Sequence, residues 1–207
     1  MSNKQAKGFT LIELLIVIGI IAILATVVIL TLNPAELLRQ ARDSTRVSDV
    51  ATIKSAFSLY LADVAPPDLG DTDICYTSLA ADYDAATVVG SCGGRFSATA
   101  GFTTISTSTD RSVDGTGWIP VDLTGISSGA PVAALPVDPV SPNTDGTAAA
   151  TTSDDYFYAY GISATAGSDA FEINTRLEST KFHDQMAADG GDNDELYEAG
   201  TEPGLSR

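Results

Sequence analysis

The sequence predicts an α+β fold: one long N-terminal helix whose apolar half stands free, and whose second half packs on an antiparallel sheet of about four strands. Three observations predict it. Phe9 to Leu32 is apolar except for polar threonines and a single charge, Glu13. Residues 34–64 then place apolar side chains three and four apart. The rest breaks into short β-branched or alternating runs between Gly-, Pro-, Ser- and Asp-rich loops. The expected organisation is a leader at 1–8, an apolar helix at 9–33, its amphipathic continuation at 34–64 and a loop-rich head at 65–207.

At 207 residues with a formal charge of −16, the chain is long enough for one domain plus an anchor and is strongly acidic. That charge disfavours bulk binding to nucleic acid phosphates or anionic lipid, and favours solubility and cations.

The apolar run comes first in the chain. About 20 apolar residues at ~1.5 Å rise cover the ~30 Å hydrocarbon core of a bilayer. A cleaved secretory signal has a shorter apolar core and a small-x-small site after it. Here Ala22-Ile23-Leu24 and Ile23-Leu24-Ala25 both fail that pattern. A lipoprotein anchor needs an early cysteine, and the first is Cys75. The reading is a retained helix behind a basic leader, with Lys4 and Lys7 on the cytoplasmic side and the head outside. Gly19, Ala22 and Thr26 put small residues on one face, read either as ordinary helix composition or, with Glu13 also present, as a face where membrane helices approach closely.

A carboxylate inside hydrocarbon costs roughly 2.5–3.5 kcal/mol and calls for a partner. One reading lets Glu13 snorkel to the headgroups. The sharper one begins with a cut between Gly8 and Phe9, which would create an amine on Phe9 with a pKa of roughly 8, mostly cationic at neutral pH. That amine lies about one helical turn from Glu13 within a chain, and staggered neighbours would bring it to Glu13 of the next chain.

Gly8-Phe9-Thr10-Leu11-Ile12-Glu13 followed by a long apolar helix resembles the leader and N-terminus of type IV pilins and type II secretion pseudopilins. The resemblance covers residues 4–32. It implies a pilin-like fold, cleavage after Gly8 by a prepilin peptidase, and methylation of the Phe9 amine. It also implies pairing of Glu13 with the Phe9 amine of a neighbouring subunit. The chain would be a single-pass cytoplasmic membrane protein, extracted by an assembly platform and polymerised with itself into an extracellular filament. Such a protein is a structural subunit without catalytic activity. Two alternatives remain: a pseudopilin forming a short periplasmic piston, and a monomeric membrane-tethered binding protein with an uncut N-terminus.

Asn33-Pro34 predicts a break, since a residue before proline leaves the α region and proline suits a first turn. Val50, Ile53, Phe57, Tyr60, Leu61 and Val64 form the stripe that meets the sheet. Arg39, Arg42 and Arg46 share another face, read either as solvated and touching headgroups or as a contact between subunits. Pro66-Pro67 ends the helix, and 66–100 reads as a loop-rich connection. Strands are expected at Phe102–Ser108, Trp118–Leu123, Tyr156–Ile162 and Phe171–Leu177, with a turn at Gly161–Ser168. Gly125–Gly129 and Asn143–Asp155 are low-complexity loops.

Cys75 and Cys92, outside the membrane, are expected to form a disulfide worth ~3 kcal/mol in the chain-entropy model, the alternative being two free thiols. Gly125-Ile126-Ser127-Ser128-Gly129 matches G-x-S-x-G, and His183 completes a formal triad order. Ala130-Pro131 after it argues against the helix a nucleophile elbow needs. The acidic, Gly-rich stretch from Phe182 offers Asp189, Asp192 and Asp194 as candidate calcium ligands, against the reading of a solvated acidic tail. Secretion pseudopilins resemble it in placing a calcium-bound loop late in the head. No N-x-[ST] sequon with a permitted middle residue occurs, and the Ser/Thr-rich loops suit O-linked sugars by composition alone.

Overall fold

In the computed structural model the described residues are 9–80, 92, 94–96, 101–140, 156–163 and 169–205. The chain is α+β. Its elements are α1 (Leu11–Leu32), α2 (Pro34–Asp63), β1 (Ile74–Thr77), β2 (Thr104–Thr107), β3 (Ala159–Ile162), β4 (Phe171–Thr175), a short α3 (His183–Met186) and β5 (Tyr197–Gly200). They fall into two compact units, residues 1–39 and 40–207.

In the first unit, α1 is 22 residues long. Its backbone stops at Asn33, which adopts the left-handed conformation with φ of 41°. Asparagine tolerates that region better than most residues and commonly closes helices there. Pro34 then opens α2, where its missing N–H costs nothing. The Asn33 carbonyl accepts from the Glu36 and Leu37 amides at 3.0 and 3.3 Å, so the new helix begins at once.

In the second unit, α2 from Gln40 onward lays Val50, Ile53, Phe57 and Tyr60 on the sheet, each buried, with Leu61 and Val64 packed at the margin. Phe57 meets Tyr160 of β3 and Phe171 of β4 edge-on, with ring centroids 5.5 and 5.2 Å apart. Such pairs add to the area they bury. Tyr60 exchanges hydrogen bonds with the Asp68 backbone just past the helix end, with the hydroxyl donating at 3.2 Å and accepting at 3.0 Å.

The sheet has five strands in the order β2-β1-β3-β4-β5. The expected antiparallel sheet of about four strands is present, with a fifth strand and one parallel pair. β1 and β2 run parallel, with Cys75 opposite Ile105, while the other neighbours are antiparallel. A parallel pair needs a long crossover, and residues 78–103 are long enough to supply it. β1 itself, Ile-Cys-Tyr-Thr, lies inside the stretch read as loop. Trp118–Leu123 is not a strand. Pro120 has no N–H for a ladder, so the segment contributes Trp118, Ile119, Val121 and Leu123 to the core as irregular chain pinned by a bridge between Asp114 and Asp122.

Alternation along the strands builds two cores. Tyr76, Tyr158, Tyr160, Ile162, Phe171 and Ile173 point to α2. Cys75, Phe157 and Ala159 point to the opposite face, where they meet Leu79, Cys92, Phe96 and Phe102. Cys75 and Cys92 are joined by a disulfide inside this second cluster. Gly161 keeps that cluster close to the sheet: a Cβ there would stand 2.8 Å from the Phe102 ring and 2.9 Å from the Phe96 ring.

Candidate functional site

The apolar helix is unusual in what it lacks. From Leu11 to Ile29, 19 residues with mean hydropathy 3.0, no residue is buried. Phe9 is 91% exposed and Leu11 82%. By length and composition this helix can cross a membrane. Its few polar groups turn inward on its own backbone. The Thr26 hydroxyl donates to the Ala22 carbonyl at 2.9 Å, and Thr31 donates to Val27 and Val28 at 3.1 and 3.0 Å. A hydroxyl so engaged can face hydrocarbon without an unmet donor. Gly19 has no atom within 4 Å of the place a Cβ would take, so this part of the surface is open.

The start of the helix is a capping box. Thr10 sits at the N-cap in extended conformation, φ −81° and ψ 151°, and its hydroxyl accepts from the Glu13 amide at 3.3 Å. Glu13 answers through one oxygen: Oε2 accepts from the Thr10 amide at 2.8 Å and from the Thr10 hydroxyl at 2.7 Å. Sequence reasoning treated Glu13 only as a charge and missed Thr10, although T-x-x-E before an apolar run is itself a helix-start signature. Gly8 and the rest of the leader lie outside the described residues.

The arginine face resolves into three different residues. Arg39 is exposed and meets Glu36 at 3.8 Å. Arg42 is partly covered and pairs with Glu178. Arg46 is fully buried. It holds Asp138 through two nitrogens at 2.7 and 3.0 Å, Asp43 at 2.9 Å and Glu178 at 2.6 Å. Its guanidinium lies 4.5 Å from the Tyr156 ring centroid. Arg46 is therefore neither solvated nor free to touch another subunit. Burial works against its charge, but Asp138 and Glu178 outweigh that and raise its pKa. Burial likewise pushes Glu178 up, and hydrogen bonds from Arg42 and Arg46 bring it below its ordinary value. Asp43 completes the knot by accepting the Glu178 and Ser179 amides, the latter at 2.7 Å.

The acidic stretch is not a tail. Its last part is β5, with Glu198 and Ala199 buried. Nor do Asp189, Asp192 and Asp194 converge: among the described residues no group of three or more His, Cys, Asp or Glu side chains is placed to hold a metal ion. Asp189 instead accepts the Gly191 amide at 2.9 Å and the Glu198 amide at 2.6 Å, which ties the loop to the strand. Asp192 and Asp194 are exposed. Gly191 lies against Glu198 so closely that a Cβ would overlap its carboxylate. Register puts Glu172 opposite Gly200 and Asn174 opposite Glu198, so both glutamates share one sheet face. Burial pushes Glu198 up to about 8, helped by the nearby Glu172 charge and opposed by the Asn193 amide. Burial raises Glu172 as well, while Asn174 and the Leu205 amide hydrogen-bond its carboxylate.

The G-x-S-x-G segment has no elbow geometry. Leu123–Gly125 is a single 3₁₀ turn, and bends, not a helix, follow at 131–134. Ser127 donates its amide and hydroxyl to Asp63 at 2.6 and 2.8 Å. His183 is exposed at the start of α3. The loop at 143–155 and residues 164–168 of the turn lie outside the described residues.

Residues 3–29 match the family described as the prokaryotic N-terminal methylation motif, which is the class III leader of type IV pilins and pseudopilins. The match spans the N-terminal part of the chain, leaving the head outside it. No curated protein and no solved structure matches the chain.

Proposed function

From the methylation motif at residues 3–29, we propose that the chain is a structural subunit of a type IV pilus-like surface filament. A prepilin peptidase cuts after Gly8, the head lies outside the cytoplasmic membrane, and an assembly platform draws the apolar helix from lipid into a bundle of like helices. The protein has no reaction of its own to catalyse. The observation that carries this reading is α1, whose 22 residues begin inside the motif, run three residues past its end, and expose every described side chain with one carboxylate at the start. A rod apolar on all sides gains little by leaving lipid unless its destination is equally apolar. A bundle of identical rods is such a destination. The amine on Phe9 would then offset the charge that each rod carries at Glu13.

Glu13→Val tests the assembly step. It should leave membrane insertion intact and abolish ordered fibres, seen by electron microscopy of cells. Normal fibres from that variant would remove the role given to Glu13. Gly8→Asp should block leader removal, so that mass spectrometry of the purified protein finds no chain beginning at Phe9. Long wild-type fibres distinguish a pilus from a short periplasmic piston.

A further inference from the structure

The capping box bears on how Glu13 meets its partner. Both Thr10 bonds fall on the same carboxylate oxygen, Oε2. Oε1 has no hydrogen-bond partner among the described residues, and the side chain is exposed. The two donors on Thr10, its amide and its hydroxyl, lie downstream of the Gly8–Phe9 bond. Removal of the leader therefore leaves the box intact. An unheld glutamate at a helix start samples several rotamers, and its two oxygens exchange freely. Here Oε2 is held by the amide and hydroxyl of Thr10, and Oε1 belongs to an exposed side chain with no hydrogen bond among the described residues.

We propose that Thr10 is the positioning residue for Glu13, clamping Oε2 to its own chain so that Oε1 is presented to the cationic Phe9 amine of a second copy. This rests on the filament reading above. It adds a division of labour between the two oxygens. Before assembly, two donors from Thr10 partly compensate a carboxylate near hydrocarbon. During assembly, the incoming amine meets a charge whose direction is already set, so little rotamer entropy is lost when the pair forms.

A capping box also stabilises a helix start, and the test must separate the two roles. Thr10→Val removes the hydroxyl and keeps the shape and the amide, while Thr10→Ser restores the hydroxyl. Each variant is expressed as the full chain in its native cells. Leader removal is read by N-terminal mass, insertion by resistance to alkaline extraction, and fibres are weighed against mature inserted subunit. Thr10→Val should lower fibre yield per mature subunit at least about tenfold, the scale of one hydrogen bond to a charged group. Thr10→Ser should recover it to within about twofold.

A second readout uses a zero-length carbodiimide on fibres grown from mixed labelled and unlabelled subunits. Glu13 should couple to Phe9 of a different chain, and the yield should fall in the valine variant at equal fibre mass. Four results overturn the proposal: wild-type yield from Thr10→Val; no recovery with serine; a fibre loss that only tracks lost insertion or cleavage; or coupling confined within single chains. If wild-type subunits themselves form no fibres, the filament reading fails first and takes this proposal with it.

Discussion

α1 and the part of α2 from Gln40 onward are helices of similar regularity with opposite solutions to the same problem. α2 gathers its apolar side chains on one stripe and buries Val50, Ile53, Phe57 and Tyr60 against the chain's own sheet. α1 is apolar all round and buries none of them. A striped helix needs a single layer to cover it, and a uniformly apolar one must be surrounded. One chain of this size supplies the layer. Lipid or a bundle of apolar helices can supply the surround. The two helices hide their hydroxyls in the same way: Thr52 and Ser55 of α2 donate to the carbonyls four residues back at 2.7 and 2.8 Å, as Thr26 does in α1. The difference between them therefore lies in where the apolar residues fall, not in how polar ones are handled.

The contrast can be broken from the head side. The largest effect is expected at Arg46. Arg46→Ala leaves Asp138 and Asp43 without their cation and Glu178 with Arg42 alone, and stranding buried charge typically costs about 3–5 kcal/mol. Denaturant unfolding of the head should show that loss, while insertion of α1 in membranes stays at wild-type level. A parallel loss of insertion would mean that the two helices are not independent in the way their burial suggests.

Next in size is the Cys75–Cys92 bridge. Replacing both cysteines with alanine should lower head stability by about 3 kcal/mol, the chain-entropy figure for a loop of this length. Thermal melts of the variant and the wild type check it, and the wild type treated with reductant should approach the variant.

The smallest effect is one of pH. Glu198 is held above its ordinary value, so the folded head keeps a proton that the unfolded chain has released near pH 4.5. Its contribution to stability is complete below that value and is lost as pH rises toward about 8. Glu178 has the opposite sign: its pKa is lowered, so its contribution is present above the unfolded value and is lost on acidification. The head melting temperature should therefore decline from pH 5 to pH 8, and Glu198→Gln should flatten that decline without altering the fall in acid. An unchanged decline in the variant would assign it elsewhere.

Much of the architecture was legible because it rests on local pattern. α1 follows from composition, the stripe of α2 from spacing, and β3 and β4 from alternation over several residues. β1 and β5 were not, because each is four residues long and polar or acidic by neighbourhood. Ile74–Thr77 follows three aspartates within seven residues, and Tyr197–Gly200 carries a glutamate that only the folded sheet buries. Arg46 looked like surface because its partner Asp138 lies 92 positions away and Glu178 lies 132 away. Spacing along a helix cannot report such a partner. Within the candidate site, Glu13 stood out as a lone charge, whereas Thr10 was hidden by being ordinary. Its importance lies in two bonds to one oxygen, a matter of rotamer rather than of residue type.

The strand order has a consequence for how the head is built. Chain order adds β2 to one side of β1, β3 to the other, β4 outside β3 and β5 outside β4. Each newcomer joins at a border that is open when it arrives, and none has to be threaded between partners already zipped together. For a polypeptide delivered stepwise from its N-terminus, the sheet can thus grow outward as the chain arrives, without waiting for the last residue.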